Sequence, residues 1–169
     1  LSDIITSINE SITTCLGSGS NQLFGICHLV EDDSSTYPST KQKNGEKVTP
    51  NDRYSITIYH RLLNTEFEHS EDFSFGRVKT FVSNQKIRTV LIFDLESETT
   101  AEDVANSISD EIDLSGFEFV NIDKNMTLIK DSDAVWEDEY SEAYRDKYVK
   151  RYNIYALEYI LMYLKCKVC

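Results

Sequence analysis

The sequence predicts an α+β fold. A mixed, mainly antiparallel sheet is flanked by an N-terminal helix and a helix at about 99–113, with a long protruding loop or β-ribbon. Two observations predict it. Apolar residues recur at spacings of three and four in two segments, as on a buried helix face. Elsewhere they alternate with polar residues or form short β-branched runs, as in strands. With 169 residues, 40% of them hydrophobic, residues 1–169 are expected to form a single domain with a substantial core.

The chain opens on an amphipathic helix over residues 2–16. Apolar side chains there recur at every fourth position, which places them on one helix face. They are Ile4, Ile8, Ile12 and Leu16. The run Gly-Ser-Gly-Ser at 17–20 favours a turn and ends the helix. Residues 22–30 then predict a strand, with Gly25 at a β-bulge.

Residues 31–52 are polar, charged in both signs and contain two prolines. They predict a long loop or a protruding β-ribbon, because loops of this length in a compact domain are usually functional or disordered. Two interpretations stay open. One is a floppy insertion, and the other is an arm that reaches a neighbouring subunit and becomes ordered there.

Three strand patterns follow this segment. Residues 54–61 alternate apolar with polar side chains, which predicts a half-buried strand. Residues 72–82 carry three phenylalanines, and the residues Ser-Asn-Gln at 83–85 predict a hairpin turn before the next strand. Residues 86–95 contain the run Val-Leu-Ile-Phe, which predicts a central strand covered on both faces.

The second helix is predicted over residues 99–113. Thr99 and Glu102 have the spacing of a capping box at its start. Its apolar face contains Ala101, Val104, Ala105, Ile108 and Ile112. Two short strands, at 117–122 and 126–130, are predicted to follow.

The last third of the chain contains seven tyrosines three or four residues apart, as on a helix face. They are Tyr140, Tyr144, Tyr148, Tyr152, Tyr155, Tyr159 and Tyr163. Residues 153–165 are also dense in aromatic residues and isoleucine, as a long strand would be. We predict an acidic, Tyr-rich loop or helix over 131–151, followed by a strand over about 152–167.

The net charge of −12, from 29 acidic and 17 basic residues, disfavours a protein that grips nucleic acid. A phosphate-binding groove needs cationic side chains. An acidic surface is compatible with a passage that DNA crosses without being held. No run approaches the ~20 apolar residues that cross a membrane, so no membrane association is expected.

Short catalytic signatures are absent from the sequence, including a phosphate-binding glycine loop, a Gly-x-Ser-x-Gly elbow and a His-Glu-x-x-His zinc helix. The histidines are His28, His60 and His69. Adjacent strand residues point to opposite faces, so Cys27 cannot pair with His28, whereas His60 on another strand could reach either one. A hydrogen-bonded sheet histidine is the ordinary interpretation. We expect no catalytic residue and no cofactor.

Four cysteines are too few for a disulfide scaffold. They are Cys15, Cys27, Cys166 and Cys169. No basic-then-apolar secretory signal is visible, so we expect reduced thiols in a cytoplasmic setting. The Cys-x-x-Cys at 166–169 lacks the second pair that tetrahedral zinc needs, and the helix N-terminus that a redox thiol needs. No metal site is therefore expected.

Seven carboxylates crowd residues 131–146 around one basic residue, Arg145. They are Asp131, Asp133, Glu137, Asp138, Glu139, Glu142 and Asp146. An EF-hand is excluded, because a loop starting at Asp123 places Leu128 where glycine belongs and Ala134 where glutamate belongs. We interpret the cluster as a solvated acidic face, with a docking surface for a basic partner as the alternative.

The order of these elements resembles that of the tail-terminator or tail-completion proteins of tailed bacteriophages. Three segments carry the resemblance: the opening helix at 1–16, the strand and helix at 89–112, and the closing strand at 154–165. Together they cover about a third of the chain, and the remainder matches in order alone. A neck or head–tail connector ring matches nearly as well.

The resemblance implies a structural virion protein that forms a homo-oligomeric ring, hexameric or dodecameric, at the head–tail junction or in the tail. It implies contacts with tail-tube or connector and portal proteins, assembly in the host cytoplasm, and DNA passing through the lumen without specific binding. Two alternatives remain. One is a non-viral cytoplasmic adaptor that binds a basic partner through its acidic segment, and the other is a small Cys/His enzyme.

Overall fold

Four helices and eight strands make up the described part of the chain. The computed structural model describes residues 2–16, 21–31, 38–51, 53–67, 73–75, 78–95, 100–114, 121–122 and 126–168. The helices are α1 (Ser2–Leu16), α2 (Ala101–Leu114), α3 (Ser132–Glu139) and α4 (Glu142–Tyr148). The strands are β1 (Asn21–Glu31), β2 (Pro38–Gln42), β3 (Ile56–Phe67), β4 (Phe73–Phe75), β5 (Val78–Asp94), β6 (Asn121–Ile122), β7 (Thr127–Ile129) and β8 (Tyr152–Val168).

All these strands belong to one sheet, ordered β2-β1-β3-β5-β8-β6, with β4 also paired to β5 and β7 to β8. The β1–β3 pair is parallel and the other strand pairs are antiparallel. The centre is the β5–β8 pair, which stays in register over all 17 residues of each strand. The α+β fold with a mixed, mainly antiparallel sheet is thus confirmed.

The first face of the sheet is covered by α1 and α2. The isoleucine spacing in α1 and the apolar stripe of α2 bring buried side chains onto the inward faces of β3, β5 and β8. This core contains Ile5, Ile8, Ile12, Ile56, Ile58, Ile87, Leu91, Phe93, Ala101, Val104, Ile108, Leu157, Tyr159 and Leu161. Burial of these faces is what fixes the sheet between its helices.

The second face is covered by α3, by the partly buried tyrosines of α4 and by the segment after β2. Its core contains Cys27, Val48, Tyr59, Val90, Ile92, Val135, Trp136, Tyr140, Tyr152, Ile154 and Ala156. The start of α3 is tied to β8, because Ser132 Oγ accepts from the Ile154 N–H at 3.2 Å and donates to the Ile154 carbonyl at 2.9 Å. The acidic segment is therefore a structural layer of the domain. The predicted boundary between helix and strand near 151 is confirmed.

Two predictions about the central strands are wrong. All five residues of Ile56–His60 are buried, where a half-buried strand was expected, because helices cover both faces. The expected turn at 83–85 lies inside β5. Ser83 pairs with Phe67 of β3 on one side and with Tyr163 of β8 on the other, and this double pairing overrides the local turn preference.

Within the segment 31–52, residues 38–42 form the second strand of a β-ribbon with β1, one of the two predicted alternatives. β2 pairs with residues 27–31 of β1, and Val48 is fully buried in the core of the second face. Gly45 adopts a φ of +86° in the turn that follows, a region that favours glycine. The floppy insertion therefore does not describe residues 38–51, whereas the arm that reaches a neighbouring subunit stays a prediction. Residues 32–37 lie outside the described residues.

Two local predictions, the bulge near Gly25 and the capping box of α2, are confirmed, the capping box with a shift of one residue. The pairing of β1 with β3 changes register between Leu23 and Ile26, which confirms the bulge predicted near Gly25. The capping box of α2 is formed one residue later than predicted. The Asp103 N–H donates to Thr100 Oγ1 at 3.3 Å, and the Thr100 N–H donates to Asp103 Oδ2 at 3.1 Å. Thr99, His69, Asp123, Cys169 and most of the predicted 117–122 strand lie outside the described residues.

No helix in the described ranges is long and apolar enough to cross a membrane.

Candidate functional site

Glu139, the last residue of α3, is the one acidic residue of the 131–146 segment that is buried, with 0% of it exposed. The other six carboxylates of that segment are exposed, as a solvated acidic face requires. The interpretation as a solvated face is therefore right for those six and wrong for Glu139. A buried carboxylate is costly unless it is paired and hydrogen-bonded, so its partners are informative.

Glu139 reaches four side chains of the sheet. Oε1 accepts from Arg61 Nη2 at 2.6 Å and lies 3.1 Å from Arg88 Nε, close enough for ion pairing although the two atoms are not hydrogen-bonded. Oε2 accepts from the Tyr59 hydroxyl at 3.1 Å and from the Thr40 hydroxyl at 3.2 Å. One carboxylate therefore joins α3 to β2, β3 and β5.

Further charges extend this arrangement across β5 and β8. Arg88 also contacts Asp138, with 3.2 Å between Nη2 and Oδ2, and Glu158, with 3.4 Å between Nη1 and Oε1. Lys86 Nζ lies 3.5 Å from Glu158 Oε2. The members of this group, called the charge cluster below, are Arg61, Lys86, Arg88, Asp138, Glu139 and Glu158. Three cations face three carboxylates, so the cluster is balanced in formal charge. Balance of this kind makes burial tolerable on the second face.

The environment of Glu139 keeps its neighbours protonated. Burial raises the pKa of the Cys27 thiol to about 12, and the nearby charge of Glu139 adds to the rise. Burial and Glu139 also raise the pKa of Tyr59 well above its usual value. The thiolate is the nucleophilic form of cysteine, so Cys27 is held in its unreactive form at neutral pH.

A second polar network lies on the first face and is centred on His60, which is fully buried. Its Nε2 lies 2.7 Å from Asn9 Oδ1 and its Nδ1 lies 2.8 Å from Thr89 Oγ1, which in turn lies 3.0 Å from the Tyr159 hydroxyl. Burial lowers the pKa of His60 to about 4. We assign the neutral tautomer that donates from Nε2 to Asn9 and accepts at Nδ1 from Thr89.

The alternative of a thiol–imidazole pair is not formed, and His60 is the hydrogen-bonded sheet histidine that the ordinary interpretation gives. Cys27 packs in the core of the second face and His60 bonds Asn9 and Thr89 on the first. The reason is the strand register. Cys27 pairs with Arg61, so the two side chains lie on the same face of the sheet, whereas His60, next to Arg61 in β3, points to the other face. His28 is exposed. The Cys27–His60 version of the enzyme hypothesis is therefore wrong.

The sequence does contain an indication that Glu139 is buried, although the acidic composition of the segment obscures it. At helical spacing Glu139 falls four residues after Val135 and three after Trp136, on the same face as these buried side chains. Arg61 and Arg88 likewise adjoin or lie within runs of buried strand residues, at 56–60 and 87–93. A carboxylate on an apolar helix stripe and arginines in central strands together predict a buried ion pair.

Two depressions of opposite character lie on the surface. The basic depression, of about 470 Å³, is lined by His28, Leu29, Arg61, Leu62, Leu63 and Lys86. The acidic depression, of about 340 Å³, is lined by Asp133, Trp136, Glu137, Glu142, Arg145, Asp146 and Val149. Both are open to solvent, which suits contact with another surface better than enclosure of a small ligand.

Among the described residues, no three His, Cys, Asp or Glu side chains come together as they would around a metal ion. No protein-family model matches this sequence, and no curated protein matches it.

Proposed function

We propose that this chain is a structural subunit of a homo-oligomeric ring at the head–tail junction of a tailed bacteriophage, as a tail terminator or a neck connector. The observation that carries the proposal is the order of elements. The opening helix is followed by a β1–β2 ribbon, the long strands β3 and β5, the capped helix α2 and the long closing strand β8. This order is the basis of the resemblance to the phage proteins.

The use of the buried ionisable groups supports a structural role. Glu139, Arg88 and His60 bond other parts of the same chain, and each joins a helix to the sheet. Catalytic groups must instead present a free atom to a substrate. Side chains used in this way contribute to the rigidity that a repeating subunit needs.

The charge distribution supports the passage of DNA without retention. The net charge is −12, and exposed carboxylates also lie outside the α3–α4 segment, among them Glu10, Glu46 and Asp110. Acidic side chains that line a lumen would repel phosphates by Coulomb's law and would leave the DNA free to move.

Analytical ultracentrifugation over a concentration series, with negative-stain imaging of the same samples, tests the ring. We expect closed rings of six or twelve copies at high concentration. A monomer at every concentration would overturn the proposal.

A gel-shift titration with duplex DNA at physiological ionic strength tests whether the protein retains DNA. No retained complex is expected, because counterion release requires a predominantly cationic surface, whereas this chain has 29 acidic residues against 17 basic ones. Tight, salt-sensitive binding would contradict the role of an acidic passage.

A second candidate function is an adaptor that binds a basic partner, and the acidic depression favours it. Four carboxylates line this depression against one arginine. Titration with a lysine-rich peptide tests it, using a protein with Asp133→Asn, Glu142→Gln and Asp146→Asn, since all three side chains are exposed. Equal affinity in the wild type and the triple variant would remove this candidate.

A further inference from the structure

The basic depression is unusual for a chain with a net charge of −12. Of the six residues that line it, two are cationic and none is a carboxylate. Its lining also contains three leucines, of which Leu29 has 36% of its surface exposed. Cationic and apolar groups together suit a partner surface that presents carboxylates beside an apolar side chain.

Both cations of this depression form ion pairs with carboxylates of the same chain. Arg61 is bound to the buried Glu139 at 2.6 Å, and 11% of its side chain is exposed. Lys86 lies 3.5 Å from Glu158 and has 46% of its side chain exposed. A guanidinium already fixed by an internal partner loses little conformational entropy when a second carboxylate arrives.

The acidic depression presents the complementary groups on the same chain. Asp133, Glu137, Glu142 and Asp146 line it together with Val149, which has 42% of its surface exposed. Each depression thus combines an excess of one charge with an exposed aliphatic residue: two cations in the basic depression, and four carboxylates against Arg145 in the acidic one. The two match in the sign of charge and in the presence of an apolar contact.

We propose that the basic depression of one copy receives the acidic α3–α4 surface of a second copy. The inference rests on the proposed ring function and names the surfaces that meet there. The two surfaces differ, so the contact is heterologous, and repetition of a heterologous contact closes a ring when its rotation allows closure. Because charges dominate the match, the association weakens as salt is added.

Charge reversal on either side tests the contact. Lys86→Glu changes the basic depression and Asp146→Lys changes the acidic one, and both side chains are exposed. We expect each to weaken self-association in analytical ultracentrifugation by about tenfold or more, because like charges then face one another. The double variant restores opposite charges across the contact, so part of the lost affinity should return.

Matched controls separate this contact from the effect of net charge. Lys43→Glu and Asp110→Lys make the same charge changes at exposed positions outside both depressions. They should associate as the wild type does. Leu29→Asn provides an independent variant outside the charge cluster, with the same expected weakening. Urea unfolding of every variant verifies that the fold is retained.

The outcomes distinguish the two proposals. If Lys86→Glu, Asp146→Lys and Leu29→Asn each associate as strongly as the wild type, this contact is overturned and the ring proposal still stands. Equal weakening by the controls would also overturn the contact, because net charge alone would then explain the effect. A wild-type protein that stays monomeric would overturn the ring, and this contact with it.

Discussion

The two faces of the sheet bury polar groups in different ways. On the first face, His60, Thr89, Tyr159 and Asn9 form a chain of neutral hydrogen bonds beneath α1. On the second face, ionised groups meet around Glu139 beneath α3. The first network therefore depends on a histidine that stays uncharged, and the second depends on charges that stay paired.

The difference follows from the helices that cover each face. α1 and α2 have 15 and 14 residues and supply long apolar stripes, so the first face is held mainly by hydrophobic burial. α3 and α4 have eight and seven residues, lengths at which an isolated helix is not stable in water. The buried ion pairs and the packing of Trp136 tie α3 down and fix its position.

Loss of the Glu139 charge should have the largest effect. Glu139→Gln leaves the buried guanidinium of Arg88 and the partly exposed guanidinium of Arg61 undercompensated. Breaking one side of a buried ion pair costs about 3–5 kcal/mol. Urea denaturation measures the change in the free energy of unfolding. Glu137→Gln makes the same chemical change at a side chain that is 72% exposed, and it should change stability little. Equal effects in the two variants would show that the charge cluster is dispensable.

Acidification should destabilise the first face through His60. The folded pKa is about 4 and the ordinary value is 6.5, so the unfolded chain takes up the proton first as the pH falls. The contribution to stability is complete above pH 6.5 and is lost between pH 6.5 and 4, which amounts to about 3 kcal/mol.

Comparison with His60→Gln isolates this contribution, because the carboxylates titrate in both proteins. Between pH 7 and 4 the wild type should lose about 3 kcal/mol more unfolding free energy than the variant. Parallel curves would contradict a neutral, buried imidazole.

The helix caps should have the smallest effect and again differ between the faces. Thr100→Ala removes the reciprocal capping box of α2 and should cost about 1 kcal/mol of unfolding free energy. Asp131 accepts from the Ala134 N–H at 3.4 Å, a longer contact, so Asp131→Ala should cost less. Thermal unfolding of the two variants gives the order, and a larger loss for Asp131→Ala would reverse the expectation.

The sequence predicted the helices of the first face but not the buried ion pairs of the second. The isoleucine spacing of α1 and the stripe of α2 predicted the helices of the first face, because helix periodicity is a local property. The same local reasoning assigned all seven carboxylates of the 131–146 segment to solvent. Glu139 was misassigned because its burial depends on Arg61 and Arg88, which lie 78 and 51 residues earlier in the chain.

The amino-acid sequence by itself determined the fold class, the two long helices, the bulge near Gly25 and the closing strand β8. Each follows from residue spacing or turn preference within a short segment. Only the tertiary structure decided that β5 runs through the apparent turn at 83–85, that β2 pairs with β1 at the edge of the sheet, and that Cys27 and His60 lie on opposite faces. Strand register and ion pairing join residues distant in the chain, and local preference does not encode those partners.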